Sequence, residues 1–317
     1  MITRKVIVDS IYYVVNHSNY VFINKANISS VLPLLTGTRK TSWLNSDILD
    51  LSKLNEEQII LYFLLCESFN FCFWDSDIKW KIEFHGEWYS GSYGVFYAVA
   101  KAIENGKLSL DVSCLEKLTM EDLDDIFYGT TSIPLLRERF AILQGLVCEL
   151  KNISSLTKLF DVSTDIELLD RIVNTFHNFR DISLYHGKEV YFFKRAILLV
   201  GDLSLNVDSI SKKIKDNNKM LGCADYKIPQ VLRHFGILEY SKELSLLVDN
   251  KQEIPKDGDM EIEIRANMLY CIELIKEEFI DQGKDLNSIE IDNALWLLSK
   301  NPSVKDRPHH LTRTTNY

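Results

Sequence analysis

Apolar residues recur at helical spacing along most of this chain, and that periodicity limits the fold more than any other feature. Residues 56–68 (EEQIILYFLLCES) repeat in this way, as do 165–179, 191–205, 228–235 and 260–280. Residues 134–151 (PLLRERFAILQGLVCELK) read as a helix with Pro134 in its first turn, where a missing N–H costs nothing. Strand signals are few. Residues 79–84 (KWKIEF) alternate, and His85-Gly86-Glu87 predicts a hairpin turn after them. Val6, Ile7 and Val8 are contiguous, which leaves strand or helix open at the N-terminus. The expectation is a mainly α fold with a small β element. No repeat, low-complexity tract or Gly/Pro/Ser linker divides the chain, so residues 1–317 read as one unit, with room for two lobes.

Composition removes several classes. No segment supplies the ~18 uncharged apolar residues of a membrane span, and Ala196 to Val200 is framed by Lys194, Arg195 and Asp202. Arg4 and Lys5 imitate the start of a signal peptide, but Asp9 breaks the apolar stretch beyond them. Six scattered cysteines without a CxxC pair fit reduced thiols in a cytoplasmic protein. A net charge of −9 argues against a long polynucleotide partner, which a basic face would grip. One phosphate in a pocket needs only two or three local donors. The signatures GxGxxG, P-loop, HExxH and GxSxG are missing. His309 and His310 are adjacent, not at metal-ligand spacing, and no metal or organic cofactor is signalled.

Four segments could carry chemistry. Residues 69–74 (FNFCFW) place four aromatics in six positions, either a core cluster or a stacking surface for a planar base. In residues 192–202 (FFKRAILLVGD), helical geometry puts Arg195, Leu199 and Asp202 on one stripe with Lys194 beside it. Charges in such apolar surroundings are paired or functional. Asp225 precedes a helix that begins near Pro229, and a capping role competes there with a catalytic one. In residues 261–266 (EIEIRA), Arg265 falls on the apolar stripe with Glu261 one turn earlier. That pair either braces the fold or holds an anion.

Taken together and in order, these segments resemble the queuosine salvage proteins. The resembling stretches are FNFCFW (69–74), GTTSIPLLRERFAIL (129–143), FFKRAILLVGDL (192–203), ADYKIPQVLRHFGILEY (224–240), EIEIRA (261–266), Trp296 in IDNALWLL, and HHLTRT (309–314). They run from about residue 57 to the end. The resemblance implies an N-glycosidase that cleaves queuosine 5′-phosphate and releases queuine for salvage into tRNA modification. It implies a helical fold like that of the helix-hairpin-helix DNA glycosylases. Asp225 would be the catalytic aspartate, Lys194 the lysine of the KR motif, and Asp292 an acidic substrate-binding position. Cys223 stands where the family usually has an aromatic, Asn293 and Leu297 replace more functional residues, and the stretch around residues 215–220 is shortened.

N-glycoside hydrolysis develops positive charge on the sugar, which the Asp225 carboxylate would stabilise or capture at C1′. A 7-deazaguanine has carbon in place of N7, so its departure cannot use protonation there. Asp292 would meet the cationic secondary amine of queuine, in a substrate-binding set with Cys223, Asn293, Tyr226 and Glu261. Phe71 and Trp74 would stack on the ring, and some of Lys194, Arg233, Arg265 and Arg313 would bind the 5′-phosphate. The partner expected is a small nucleotide, with no polynucleotide and no membrane. Two other readings are a nucleic-acid base glycosylase and a non-catalytic protein that binds queuine or its nucleotide.

Overall fold

A computed structural model describes residues 1–36, 48–74, 78–214, 220–305 and 307–317. Residues 215–219, most of the shortened stretch, therefore lie outside the described residues. The fold is mainly helical, and no strand among the described residues exceeds four residues. Helix Glu56–Ser68 is closed at its start by a reciprocal cap. Asn55 Oδ1 accepts from Gln58 N at 2.9 Å, and Gln58 Oε1 accepts from Asn55 N at 3.0 Å. Every residue from Ile59 to Ser68 is buried, so this helix is central, packed on all sides. The 23-residue helix Asp259–Asp281 is buried through most of its length. On it, fully buried Glu263 accepts from the backbone N–H groups of Asn19, Tyr20 and Val21 and from the Tyr185 hydroxyl. One carboxylate thus ties the end of the N-terminal helix Arg4–His17 to the Ile182–Tyr185 strand. The ambiguous N-terminus is helical.

Among the described residues there are three antiparallel two-stranded ladders: Val21–Ile23 with Leu238–Tyr240, Ile82–Phe84 with Glu87–Tyr89, and Ile182–Tyr185 with Lys188–Tyr191. The last two are hairpins turning on His-Gly. His85 and Gly86 have φ of 50° and 86°, His186 and Gly187 φ of 47° and 80°. A two-residue turn left-handed at both positions matches the twist of its strands.

Two helix starts differ from expectation. The helix expected from residue 134 begins at Leu136, because Leu135 is left-handed (φ 54°) and the Pro134 carbonyl turns to the buried Arg139 guanidinium. The helix expected over 191–205 is Lys194–Asn206, because strand pairing holds the chain to Tyr191 and Phe193 is left-handed (φ 52°).

Among the described residues, the buried apolar side chains form two clusters. One gathers the central helix with Ile7 and segments as far as Cys223; the other gathers Ile11 and Val14 of the N-terminal helix, Tyr185, Val190 and Phe192, and the chain from Ala224 onward. The chain crosses from one cluster to the other between Phe192 and Phe193, and again between Cys223 and Ala224. Lys194 and Asp225 each lie a single residue beyond one crossing.

Candidate active site

A cleft opens where these crossings meet. Its tight inner part is lined by Asn70, Ser92, Lys194, Leu198, Cys223, Asp225, Asp292, Asn293 and Trp296. Its outer part shares Ser92, Lys194, Asp225 and Trp296, and adds Phe73, Trp74, Tyr226, His309, Tyr317 and the lysines 79, 227 and 300. The outer part is the roomier, about 270 Å³ against about 40 Å³.

Asp225 sits just ahead of helix Lys227–His234, and its Oδ1 accepts from the backbone N–H groups of Lys227 (2.8 Å) and Ile228 (2.9 Å). The capping role and the cleft position therefore coexist: one oxygen is pinned by the helix start, and the carboxylate lines both parts of the cleft. Burial raises its pKa above the ordinary aspartate value, against the pull of the Ile228 N–H and of Lys194. Behind it, the Ala224 carbonyl accepts from Arg265 Nε at 3.3 Å.

Lys194 opens its helix, and its Nζ donates to the Asn70 carbonyl at 3.3 Å. Asn70 is held by a buried network. Its Nδ2 donates to both oxygens of Glu67 (3.1 and 3.0 Å), and its Oδ1 accepts from the Ser92 hydroxyl at 2.7 Å. Glu67 is fully buried, and desolvation lifts its pKa to about 7, with Lys194 and Asn70 pulling the other way. Neighbouring Arg195 takes the carbonyls of Glu67 and Ser68 at 3.2 and 2.8 Å and that of Asn178, clamping the end of the central helix.

Asp292, on helix Ser288–Leu298, accepts from Cys223 N at 2.7 Å through Oδ1. Burial and then the nearby Asp225 charge drive its pKa well above the aspartate range. Gly222 makes room for this contact: a Cβ there would lie 2.8 Å from Asp292 Oδ1 and 2.5 Å from Ile272 Cδ1.

Of the residues expected to bind substrate, Cys223, Asp292 and Asn293 line the inner part, Trp74 and Tyr226 the outer part. Phe71 lies outside the lining. It is fully buried with the Arg139 guanidinium 4.1 Å and that of Arg195 5.3 Å from its ring centroid. Three arginines also stand away from it, each on a carboxylate. Arg265 forks onto Asp181, lies 3.4 Å from Glu261 and sits between the rings of Phe192 and Tyr317. Arg233 forks onto Asp249 at 2.8 and 3.0 Å. Arg313 meets Glu253 at 3.1 Å, over the Trp74 ring. Glu261 is buried beside Arg265, behind the cleft wall. Sequence reasoning did not single out Asn70, Ser92 or the three lysines as site residues. Lys227 carried a signal, being two residues from Asp225 within the ADYKIP motif.

The family model described as Queuosine salvage protein matches residues 51–317. The chain belongs to this family. Relatives bearing the name queuosine 5′-phosphate N-glycosylase/hydrolase span nearly the same length. One from Sphaerobacter thermophilus is 31% identical over 99% of this chain and 96% of its own. One from Dictyostelium discoideum is 30% identical over 81% of this chain and 77% of its own, and one from Mus musculus 29% over 98% of both. The match begins near the central helix, so the family region contains every residue that lines the cleft.

Proposed function

We propose that this protein hydrolyses the N-glycosidic bond of queuosine 5′-phosphate and releases queuine. The observation that carries this reading is Asp225. It is a buried carboxylate with one oxygen pinned by two backbone N–H groups, at the junction of the two parts of the cleft, beside Lys194. Such a group meets the needs of a bond whose cleavage leaves positive charge on the sugar. It is already desolvated and oriented, so little reorganisation is needed when that charge develops.

The bond broken joins C1′ to the base nitrogen. The water oxygen bonds to C1′, and a proton ends on the departing base, giving queuine and ribose 5-phosphate. With Asp225 at C1′, the inner part takes the base. Burial and then the Asp225 charge both oppose ionisation of Asp292 there. A cationic amine arriving beside it relieves that opposition and leaves an ion pair. Trp296 and Trp74 offer ring faces for stacking. Lys194 is held by Asn70 facing Asp225, where it balances the carboxylate's charge.

The test is chromatography of queuosine 5′-phosphate incubated with the purified protein. Free queuine and ribose 5-phosphate should appear in equal amounts, and not with Asp225→Asn. Binding without release would leave a non-catalytic binder. Release from an oligonucleotide but not from the mononucleotide would point to a nucleic-acid glycosylase.

A further inference from the structure

The outer part of the cleft is basic, in a chain whose net charge is −9. Lys79, Lys227 and Lys300 come from three separate segments: the stretch before the Ile82–Phe84 strand, the start of helix Lys227–His234, and the turn after helix Ser288–Leu298. None of the three joins an ion pair with another of the described residues. Among the described residues that line this part, Asp225 has the one acidic side chain. Lys300 lies 3.6 Å over the Trp296 ring and Lys227 5.3 Å from that of Tyr226, so aromatic faces steady two of the ammonium groups at the cleft. Ser90, Gly91 and Ser92 line the same wall, at the start of helix Ser92–Glu104.

We infer that Lys79, Lys227 and Lys300 form the subsite for the phosphate monoester of the substrate, a role that Arg233, Arg265 and Arg313 leave open because each already sits on a carboxylate. This rests on the function proposed above, which places C1′ at Asp225 and so sends the 5′ end of the sugar outward.

The three lysines act on one another's surroundings in the way an anion site does. Lys227 is pushed down to about 8, first by desolvation and then, against the pull of Asp225, by Lys300, Lys79 and Lys305; Lys300 is pushed down to about 8 by desolvation and, again against Asp225, by Lys79 and Lys305. Lys79, on the exposed rim, is lowered too, by partial desolvation and then by Lys305 and Lys81. His309 faces Lys227 as well, and burial keeps it neutral. Three crowded cations of this kind relax when a dianion comes between them. The cleft is then bipolar, with carboxyl groups at the inner end and ammonium groups at the outer. A substrate carrying a cationic base and an anionic phosphate on opposite sides of its sugar fits it in one direction only.

Two measurements test the inference, neither sufficient for both ideas. The first is calorimetric titration of the intact protein with inorganic phosphate at pH 7. Binding should weaken tenfold or more in Lys79→Gln, Lys227→Gln and Lys300→Gln, return in part in Lys300→Arg, and stay unchanged in the remote surface variant Lys242→Gln. The second compares kcat/KM for queuosine 5′-phosphate and queuosine. The wild-type preference for the phosphate should fall tenfold or more in each Gln variant. Phosphate binding that follows the lysines, with no cleavage of either compound, would overturn the proposed reaction and leave the anion subsite standing. Cleavage with an undiminished preference in the variants, or phosphate binding indifferent to all three lysines, would overturn the subsite and leave the reaction standing.

Discussion

Asp225 and Arg265 illustrate two ways of using a buried charge. The Asp225 carboxylate keeps contact with the cleft, so its replacement should change chemistry more than stability. Asp225→Asn preserves shape and removes the charge, and kcat should fall by roughly 10²-fold or more, with the melting temperature held within a few degrees. A variant that turned over at the wild-type rate would reduce Asp225 to a helix cap. Arg265 has no such outlet. Its guanidinium joins Asp181, Glu261 and the Ala224 carbonyl, with ring faces on either side. Arg265→Ala leaves two buried carboxylates without their cation, which costs on the order of 3–5 kcal/mol. Thermal or denaturant unfolding should show that loss, and an unchanged midpoint would refute it. Because Arg265 holds the carbonyl just before Asp225, residual activity in the folded fraction should fall as well.

At the scale of elements, the cleft depends on how segments approach one another. The extended stretch through Gly222 and Cys223 must lie against helix Ser288–Leu298 for Cys223 N to reach Asp292. Gly222→Ala would force its Cβ against Ile272 and the Asp292 carboxylate. The expected result is about a tenfold loss in kcat/KM with the helical circular dichroism intact; full activity would show that Asp292 has freedom to move. The long helices were legible in the sequence because burying one face, or both, imposes a spacing on apolar residues. Residues 59–66 are apolar without a break, the mark of a helix buried on every side, and Met268, Ile272, Ile275 and Phe279 recur at helical spacing in 259–281. The hairpin at His85-Gly86 was legible from its turn and from the alternation before it. The matching turn at His186-Gly187 was not, because its first strand buries Ser183 and exposes Leu184, the reverse of the polarity that alternation relies on. The ladder between Val21–Ile23 and Leu238–Tyr240 left no local trace, since three-residue strands more than two hundred positions apart have no periodicity to detect. Asp225, Lys194 and Asp292 were legible through their motifs. The pairing of Arg233 with Asp249 and of Arg265 with Asp181 was not, because spacing along one helix reveals only the partners on that helix. Lys79, Lys227 and Lys300 escaped for the same reason: they are neighbours only after folding.

At the scale of the whole molecule, the C-terminal segment is a lever on stability. His310 is buried, within 3.2 Å of the Tyr317 hydroxyl, and desolvation lowers its pKa to about 3 from an ordinary 6.5. A histidine kept neutral by the fold binds its proton more readily when unfolded. Its contribution is therefore complete above about pH 6.5 and drains away as pH falls toward 3. At about pH 4.5 the loss is on the order of 2–3 kcal/mol. The melting temperature should fall between pH 7 and 4.5, and fall less in His310→Gln; parallel curves for the two proteins would exclude this origin. The position of Lys194 and Asp225, each one residue past a crossing between the two apolar clusters, has its own consequence. Lys194 stands on a stretch of the first cluster and Asp225 on a stretch of the second, so their separation depends on how the two clusters pack together. The enzyme carries, in effect, its own strain gauge. Mild urea should extinguish turnover at concentrations where far-ultraviolet dichroism still reports every helix, and mutations deep in either cluster should be felt at C1′ before they are felt in the melting curve.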